Sequence, residues 1–358
     1  MLTRLLLLLL LASQAGPVTA ATTTAVTTGA TANCRPPRVA LPESQRKFHP
    51  GHYVAIGRAE LRKGVSTALG EGVEGIQLRY RWADLEPKKG QYDFSAISRD
   101  LDIVAQAGLQ FVVLLEDKTF RDEWPTPAYL HEEYTLRGKR GYTAKRWDPY
   151  VIERLERLVT RLGTQFDCHP NFEGIGLQET ALGVAPEELA ANGYTPEKYR
   201  DALVRVLRSA ASSVPRSRVF WYMNFLPGNQ AYIGDIANAV VGRGVVMGGP
   251  DVLPENQALV RRVYPYYQQF NGRLKLFGSM QHDSYQHPRS DRAAAASSAL
   301  WSMEELYEFA RDDLHVDYIF WEYRSSPKPG KQSFAWNDAR AVIARHPRIR
   351  EGARPVDL

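Results

Sequence analysis

The chain has 358 residues, 44% hydrophobic and 24% charged, an ordinary globular composition that excludes a disordered or fibrous protein and suffices for one large or two small domains. Its net charge of +5 is spread along the chain, with no Lys/Arg block longer than two residues. It therefore carries no electrostatic footprint for nucleic acid.

Residues 1–20 read as a secretory signal: Arg4 supplies the positive start, Leu5 to Ala12 the apolar core, and Val18-Thr19-Ala20 the small residues before a cut. The apolar core is too short to span a bilayer, so no membrane contact is expected after cleavage. The protein is expected to be secreted or periplasmic. Residues 21–45 form a Thr/Ala-rich lead-in expected to be disordered, and residues 351–358 a short tail. Export makes one disulfide possible between Cys34 and Cys168; two free thiols are the alternative. His282 and His287 lack metal-site spacing, and neither a metal nor a cofactor is expected.

From His52 onward short apolar runs alternate with helical patterns. Tyr53–Ile56 and Val73–Tyr80 are the first two strands. Ile97, Leu101, Val104 and Ala105 mark one face of a helix that Gly108 stops. Leu109–Leu115 is apolar throughout, as a strand buried on both faces must be. A long loop over residues 116–149 holds Trp124, Tyr129, Tyr134, Tyr142 and Trp147, and these aromatics argue for order. Val151, Leu155, Leu158, Val159 and Leu162 mark the next helix. Phe172–Thr180, Gly-interrupted and ending at the acid Glu179, is the fourth strand.

Thr195-Pro196-Glu197 starts a helix: a cap, a proline at the first turn, and an acid near the positive end. Val219–Met223, Gly244–Gly249, Leu274–Met280 and Val316–Trp321 are strands five to eight. Ser302-Met303-Glu304-Glu305 is a capping box, and a last helix lies near Asp338–Ala344. Eight strands mostly separated by helices, within residues 46–350, predict a single (β/α)₈ TIM barrel. An open doubly wound sheet would be expected to show a Gly-rich phosphate turn after the first strand. Ile56-Gly57-Arg58-Ala59-Glu60 does not provide one.

The loops after the strands of such a barrel share one face. The strand ends there are Arg79 and Arg81, Glu116 and Asp117, Gln178 and Glu179, Asn224, Asp251, Gln281 with His282 and Asp283, and Glu322. Alternation puts Arg79 and Arg81 on one face of their strand, with Tyr80 opposite. Trp82, Trp221, Trp321 and Tyr285 are expected near the same rim. Carboxylates, amides and indoles around one mouth suit a carbohydrate, whose hydroxyls need hydrogen bonds and whose ring faces stack on aromatics.

Trp82-Ala83-Asp84-Leu85-Glu86-Pro87-Lys88-Lys89-Gly90-Gln91-Tyr92-Asp93-Phe94 resembles the W-x-x-[LI]-E-P-x-x-G-x-Y-D-F segment after strand two of clan GH-A glycoside hydrolases, above all the GH42- and GH5-type branches. The match runs from Trp82 to Leu115; beyond it only the layout of strand ends agrees. The resemblance implies a barrel that cuts glycosidic bonds, with an acid/base Glu ending strand four, where Glu179 stands. Two departures follow. The clan's Asn-Glu is here Gln178-Glu179, with the same amide on a longer arm. The clan's nucleophilic Glu at the end of strand seven is absent from Met280-Gln281-His282-Asp283.

The second carboxylate is then Glu322, opposite strand four across the ring, or Asp283. A wide Glu179–Glu322 pair would leave room for water and invert the anomeric centre. Burial against Trp221 or a neighbouring carboxylate would keep Glu179 protonated part of the time. Arg79 or Arg81 would hold the other carboxylate ionised. Asn224, His282, Gln178, Gln281 and the three tryptophans would bind sugar. The competing reading is a non-catalytic glycan-binding barrel that lost the strand-seven nucleophile.

Overall fold

The computed structural model describes residues 41–289, 300–327, 332–351 and 355–357, and in it eight parallel strands close into a barrel. The strands are β1 Gly51–Ala55, β2 Val73–Arg81, β3 Gln110–Glu116, β4 Phe172–Leu177, β5 Arg218–Tyr222, β6 Val245–Gly249, β7 Lys275–Met280 and β8 Tyr318–Glu322. Each pairs with its neighbours in sequence, and β8 closes the ring on β1. The expected (β/α)₈ TIM barrel is therefore the fold, and each strand end lies within three residues of its expected position, the largest difference being β4, which stops at Leu177 rather than Thr180. The expected leader, Cys34 and the lead-in as far as residue 40 lie outside the described residues. Cys168 is disulfide-bonded. No helix among the described residues is long and apolar enough to cross a membrane.

Alternation sorts the side chains into two cores. Inward positions on four strands supply Tyr53, Phe220, Tyr222, Phe277, Tyr318 and Phe320, which together with Val112, Leu114, Val246 and Phe48 fill the barrel. The rings meet edge to face, with Phe220–Tyr318 centroids 5.1 Å apart and Tyr222–Phe277 4.6 Å apart. The filling leaves no room for some side chains on neighbouring strands. A Cβ on Gly75 would stand 2.3 Å from the Tyr53 ring, and one on Gly176 2.8 Å from Leu114. The other glycine of β4, Gly174, faces the Arg218 backbone carbonyl, 2.1 Å from where its Cβ would stand. Outward positions pack against the helices. Helix Pro149–Phe166 buries Val151, Leu155, Leu158, Val159, Leu162 and Phe166, and its first turn is capped by the Asp148 carboxylate. Thr195 caps helix Pro196–Ser213 and Ser302 closes its capping box with Glu305, both as the sequence indicates.

The amino-terminal face of the barrel is plugged by residues 46–49. Lys47 Nζ donates to the carbonyls of Asp167 and His169 at 3.1 and 2.8 Å, and His49 Nδ1 meets the fully buried Glu173 at 2.7 Å. Order begins before the expected lead-in ends, because Glu43 pairs with Arg218 and accepts from Gly244 N. It also reaches into the expected tail: Val356 exchanges backbone hydrogen bonds with Phe48, and Asp357 reaches His49.

The segment Trp82–Phe94 is a structural clamp outside the barrel. Its centre is Glu86, fully buried, which accepts from Trp82 Nε1 at 2.8 Å, from Gly90 N at 2.7 Å and from the Arg154 guanidinium. Gly90 has φ +77°, a left-handed turn that brings its N–H back to the carboxylate. The family-like residues thus tie the β2 exit to helix Pro149–Phe166. The loop over residues 116–149 is ordered as expected, with a hairpin of Thr135–Arg137 and Tyr142–Ala144. Its Trp124 stacks between His131 and Tyr142, at 4.1 and 4.2 Å. Glu86→Ala would strand the buried Arg154 charge and two donors, and urea unfolding is expected to show a loss of about 3–5 kcal/mol.

Candidate active site

A cavity of about 1310 Å³ opens at the carboxyl ends of the strands, the barrel face that carries chemistry in this architecture. Its floor is Tyr222 and Gln77, joined by side-chain hydrogen bonds of 2.8 and 3.0 Å. Of the residues singled out in the sequence, Arg79, Arg81, Gln178, Glu179, Gln281, His282, Asp283 and Glu322 all line it.

Glu179, just past β4, is held from several directions. Lys118 Nζ donates to Oε1 at 2.8 Å and Asn224 Nδ2 to Oε2 at 2.7 Å. Arg146 donates to the Glu179 backbone carbonyl at 2.5 Å while gripping Asp117 through two 2.6 Å hydrogen bonds. Tyr199 fixes the next carbonyl, Thr180 O, at 3.0 Å. Both oxygens of Glu179 therefore act as acceptors. Lys118 is 3% exposed, and burial lowers its pKa against the opposing pull of Glu179.

Asp251, which follows β6, completes the arrangement. Burial, then the negative charges of Glu179 and Asp283, push its carboxyl up to about 7. Asn224 Oδ1 is buried with no donor. The Asn224 amide also hydrogen-bonds the Asp251 carboxyl, which pulls against that rise. The site therefore contains two interacting carboxyls, one accepting and one retaining a proton near neutrality, the arrangement that separates acid from base. Glu116 is also pushed up, chiefly by burial and against the nearby Arg79 and Arg121.

Several expected roles are corrected. Trp82, Trp221 and Trp321 are at most 1% exposed and do not line the cavity. Trp221 sits between the inward Phe220 and Tyr222, so alternation turns it toward the helices; Trp321 follows the inward Phe320 in the same way. Trp82 serves Glu86 and Trp321 donates to His52 at 3.0 Å. Tyr285 is buried as well, donating to the Glu322 carbonyl. Besides Tyr222 in the floor, the aromatics that reach the cavity are Phe120, 55% exposed, and Tyr323. Gln178 Oε1 accepts from the backbone of Asp117 and Lys118 at 3.1 and 2.7 Å, so it places Lys118. Asn224 is buried against Glu179 and positions that carboxylate. Asp283 is 62% exposed and tied to His282 at 2.7 Å. Arg81 is bound to Asp84 and Glu123, each at 2.8 Å.

Sequence reasoning placed Asp251 among the strand ends but gave it no role, and it missed Lys118 and Arg146. Lys118 directly follows the acids that end β3, a signal that was available; Arg146 lies in a loop with none. Among the described residues, no group of three or more His, Cys, Asp or Glu side chains is placed to hold a metal ion.

Solved structures of glycoside hydrolases share this closed eight-stranded parallel barrel, and this chain is similar to them in fold. They include the β-amylase catalytic domain from Paenibacillus polymyxa, at TM-score 0.55 and 12% identity over 83% of this chain and 99% of that one. GH5_18 from Streptomyces cattleya in complex with GlcNAc matches at TM-score 0.53 and 15% identity, over 86% and 82%. An exo-β-1,4-mannosidase from Opitutaceae bacterium strain TAV5 matches at TM-score 0.50 and 16% identity, over 81% of this chain and 56% of that one. No family model matches the sequence, and no curated protein does.

The pH dependence of Asp251 follows from its raised pKa. Between the ordinary 3.8 and about 7 the folded protein keeps a proton that the unfolded chain has released, so stability falls as pH rises through that window and the loss is complete above it. Asp251→Asn, neutral at every pH, is expected to be more stable than wild type at pH ~8 by roughly 2–4 kcal/mol, and the two should converge at pH ~4 in thermal unfolding.

Proposed function

We propose that the protein is an exported hydrolase that cleaves O-glycosidic bonds of a poly- or oligosaccharide by two-carboxylate acid/base chemistry, with Glu179 as acid/base. The observation that carries this reading is the Glu179–Asp251 pair, set in a barrel-mouth cavity with Lys118 and Asn224 on the two Glu179 oxygens. Asp251 is the reservoir of the proton, and Glu179 the carboxylate through which it passes between the leaving oxygen and the pair. Glu322, four strands away from β4 around the ring and lining the same cavity, acts on the opposite side of the sugar. So wide a separation suits attack by water and inversion at the anomeric carbon. Phe120 and Tyr323 offer ring faces for the sugar. That GH5_18 was solved with GlcNAc in place supports a carbohydrate. The bonded Cys168 and the leader-like start support an oxidising, extracytoplasmic location.

Reducing-sugar release from a panel of glycans tests the reading. Glu179→Gln is expected to lower kcat by a factor of about 10²–10⁴. A wild type that binds a glycan tightly and never cleaves it would instead favour the binding-barrel reading, which the absence of a carboxyl at Ser279 and Gln281 on the β7 end supports.

The reservoir role makes a separate prediction. In wild type, kcat/KM should fall as pH rises through about 7, because Asp251 loses its proton there. Asp251→Asn should abolish that limb along with most of the activity. An unchanged limb in this variant would remove Asp251 from the mechanism.

A further inference from the structure

Glu116 ends β3, lines the cavity and is only 6% exposed, yet among the described residues its carboxyl makes no hydrogen bond. The arginine paired with it, Arg121, is 3.8 Å away and 68% exposed, beyond hydrogen-bond reach. Other acids of the site are answered directly: Glu179 by Lys118 and Asn224, Asp283 by His282. Buried polar groups are ordinarily hydrogen-bonded, and one left bare beside an open cavity is an acceptor held out for a ligand. Burial pushes this carboxyl up, as it must where no donor stabilises the charge.

The strongest attraction on Glu116 comes from Arg79. Arg79 pairs in register with Leu114, one inward step below Glu116, and its exposed side chain lines the same cavity. Among the described residues no hydrogen bond or ion pair joins the two. An acceptor and a donor thus face one space, near enough to attract and too far apart to bond. The group that joins such a pair donates and accepts at once, and a hydroxyl does both through one oxygen. A carboxylate or sulfate only accepts, so it would suit Arg79 and be repelled by Glu116. The lining as a whole holds more carboxyls than arginines, which adds to that repulsion. Because β3 lies between β2 and β4 in the ring, the pair stands beside the Glu179 site.

We infer that Glu116 and Arg79 form the recognition site for a neutral sugar with two adjacent free hydroxyls, bound next to the cleaved bond. One hydroxyl donates to Glu116 while accepting from Arg79, and its neighbour donates to the second Glu116 oxygen. The inference deepens the carbohydrate reading of the same cavity and rests on it, but not on cleavage.

The test is calorimetry with mannopentaose, xylopentaose, cellopentaose, galactopentaose and pentagalacturonate on wild type, Glu116→Gln, Arg79→Gln and the double variant. At least one neutral pentasaccharide is expected to bind wild type more tightly than pentagalacturonate does, and each single variant to weaken it about 10–100-fold. Because one hydroxyl bridges both side chains, the double variant should lose little more than either single one. Monodeoxy forms of that pentasaccharide should bind poorly at two adjacent positions, and Glu116→Gln should erase the difference. Glu116→Gln is a neutral isostere of a carboxyl with no hydrogen bond in the protein, so it should melt no lower than wild type, which separates lost recognition from lost fold. Single variants that leave every affinity within twofold, additive losses in the double variant, or preferred binding of pentagalacturonate would overturn the inference and leave the carbohydrate reading. A pentasaccharide bound through the pair but never releasing a reducing end would leave the inference standing and remove the hydrolase. Failure of all five to bind would remove the inference together with the carbohydrate reading.

Discussion

Closure of a parallel sheet on itself forces every strand residue to point either into the ring or out toward the helices, and the rest of this structure follows from that sorting. The inside is filled with tyrosine and phenylalanine rings and aliphatic side chains; Tyr53 displaces any side chain from Gly75 and Leu114 any from Gly176, each on the neighbouring strand. The same parity carries the functional residues. Gln77, Arg79 and Arg81 succeed one another up the inner face of β2, while Tyr80 turns outward to bond Asp100 on a helix. Above the last ring the filling stops, and a cavity begins at the point where the strands end in polar side chains.

Electrostatics at that level are set by burial as much as by partners. Asp251 is driven toward its acid form because it is taken out of water beside other carboxyls. Glu179 stands a short distance away with a cation and an amide on its oxygens and Arg146 behind its backbone. The cation, Lys118, is itself placed by Gln178, whose side-chain oxygen holds the Lys118 backbone N–H. Strands 3, 4, 5 and 6 thus converge on one carboxylate, and Asp251, half-buried at the end of β6, is the carboxyl that carries a proton near neutrality. Stability is spent where chemistry is wanted.

The sequence pattern most like a known family turned out to serve the fold. In Trp82–Phe94 the tryptophan, the glutamate and the glycine form one hydrogen-bonded clamp around Glu86, and none of the three lines the cavity. Such a motif reports architecture reliably because breaking it strands a buried charge. It says little about substrate. The misplaced tryptophans have a different cause. The parity argument that put Arg79 and Arg81 on one face also turns Trp221 outward from between Phe220 and Tyr222, and indole chemistry was weighed ahead of it. Asp251 was legible as a strand end, but its raised pKa needs Glu179, Asp283 and Asn224 to be neighbours, and those lie on other strands.

The sequence by itself determined the eight strands, the helices with their caps at Thr195 and Ser302, the closed barrel, and the set of polar residues at its mouth. These are local consequences of hydrophobic period, capping chemistry and the residues that end each strand. The tertiary structure decided which of those residues meet. It turned Asn224 and Gln178 to position Glu179 and Lys118, set Asp251 beside Glu179, and brought Arg79 near Glu116. Pairing and desolvation depend on distances between strands far apart in the chain, and no local pattern encodes them.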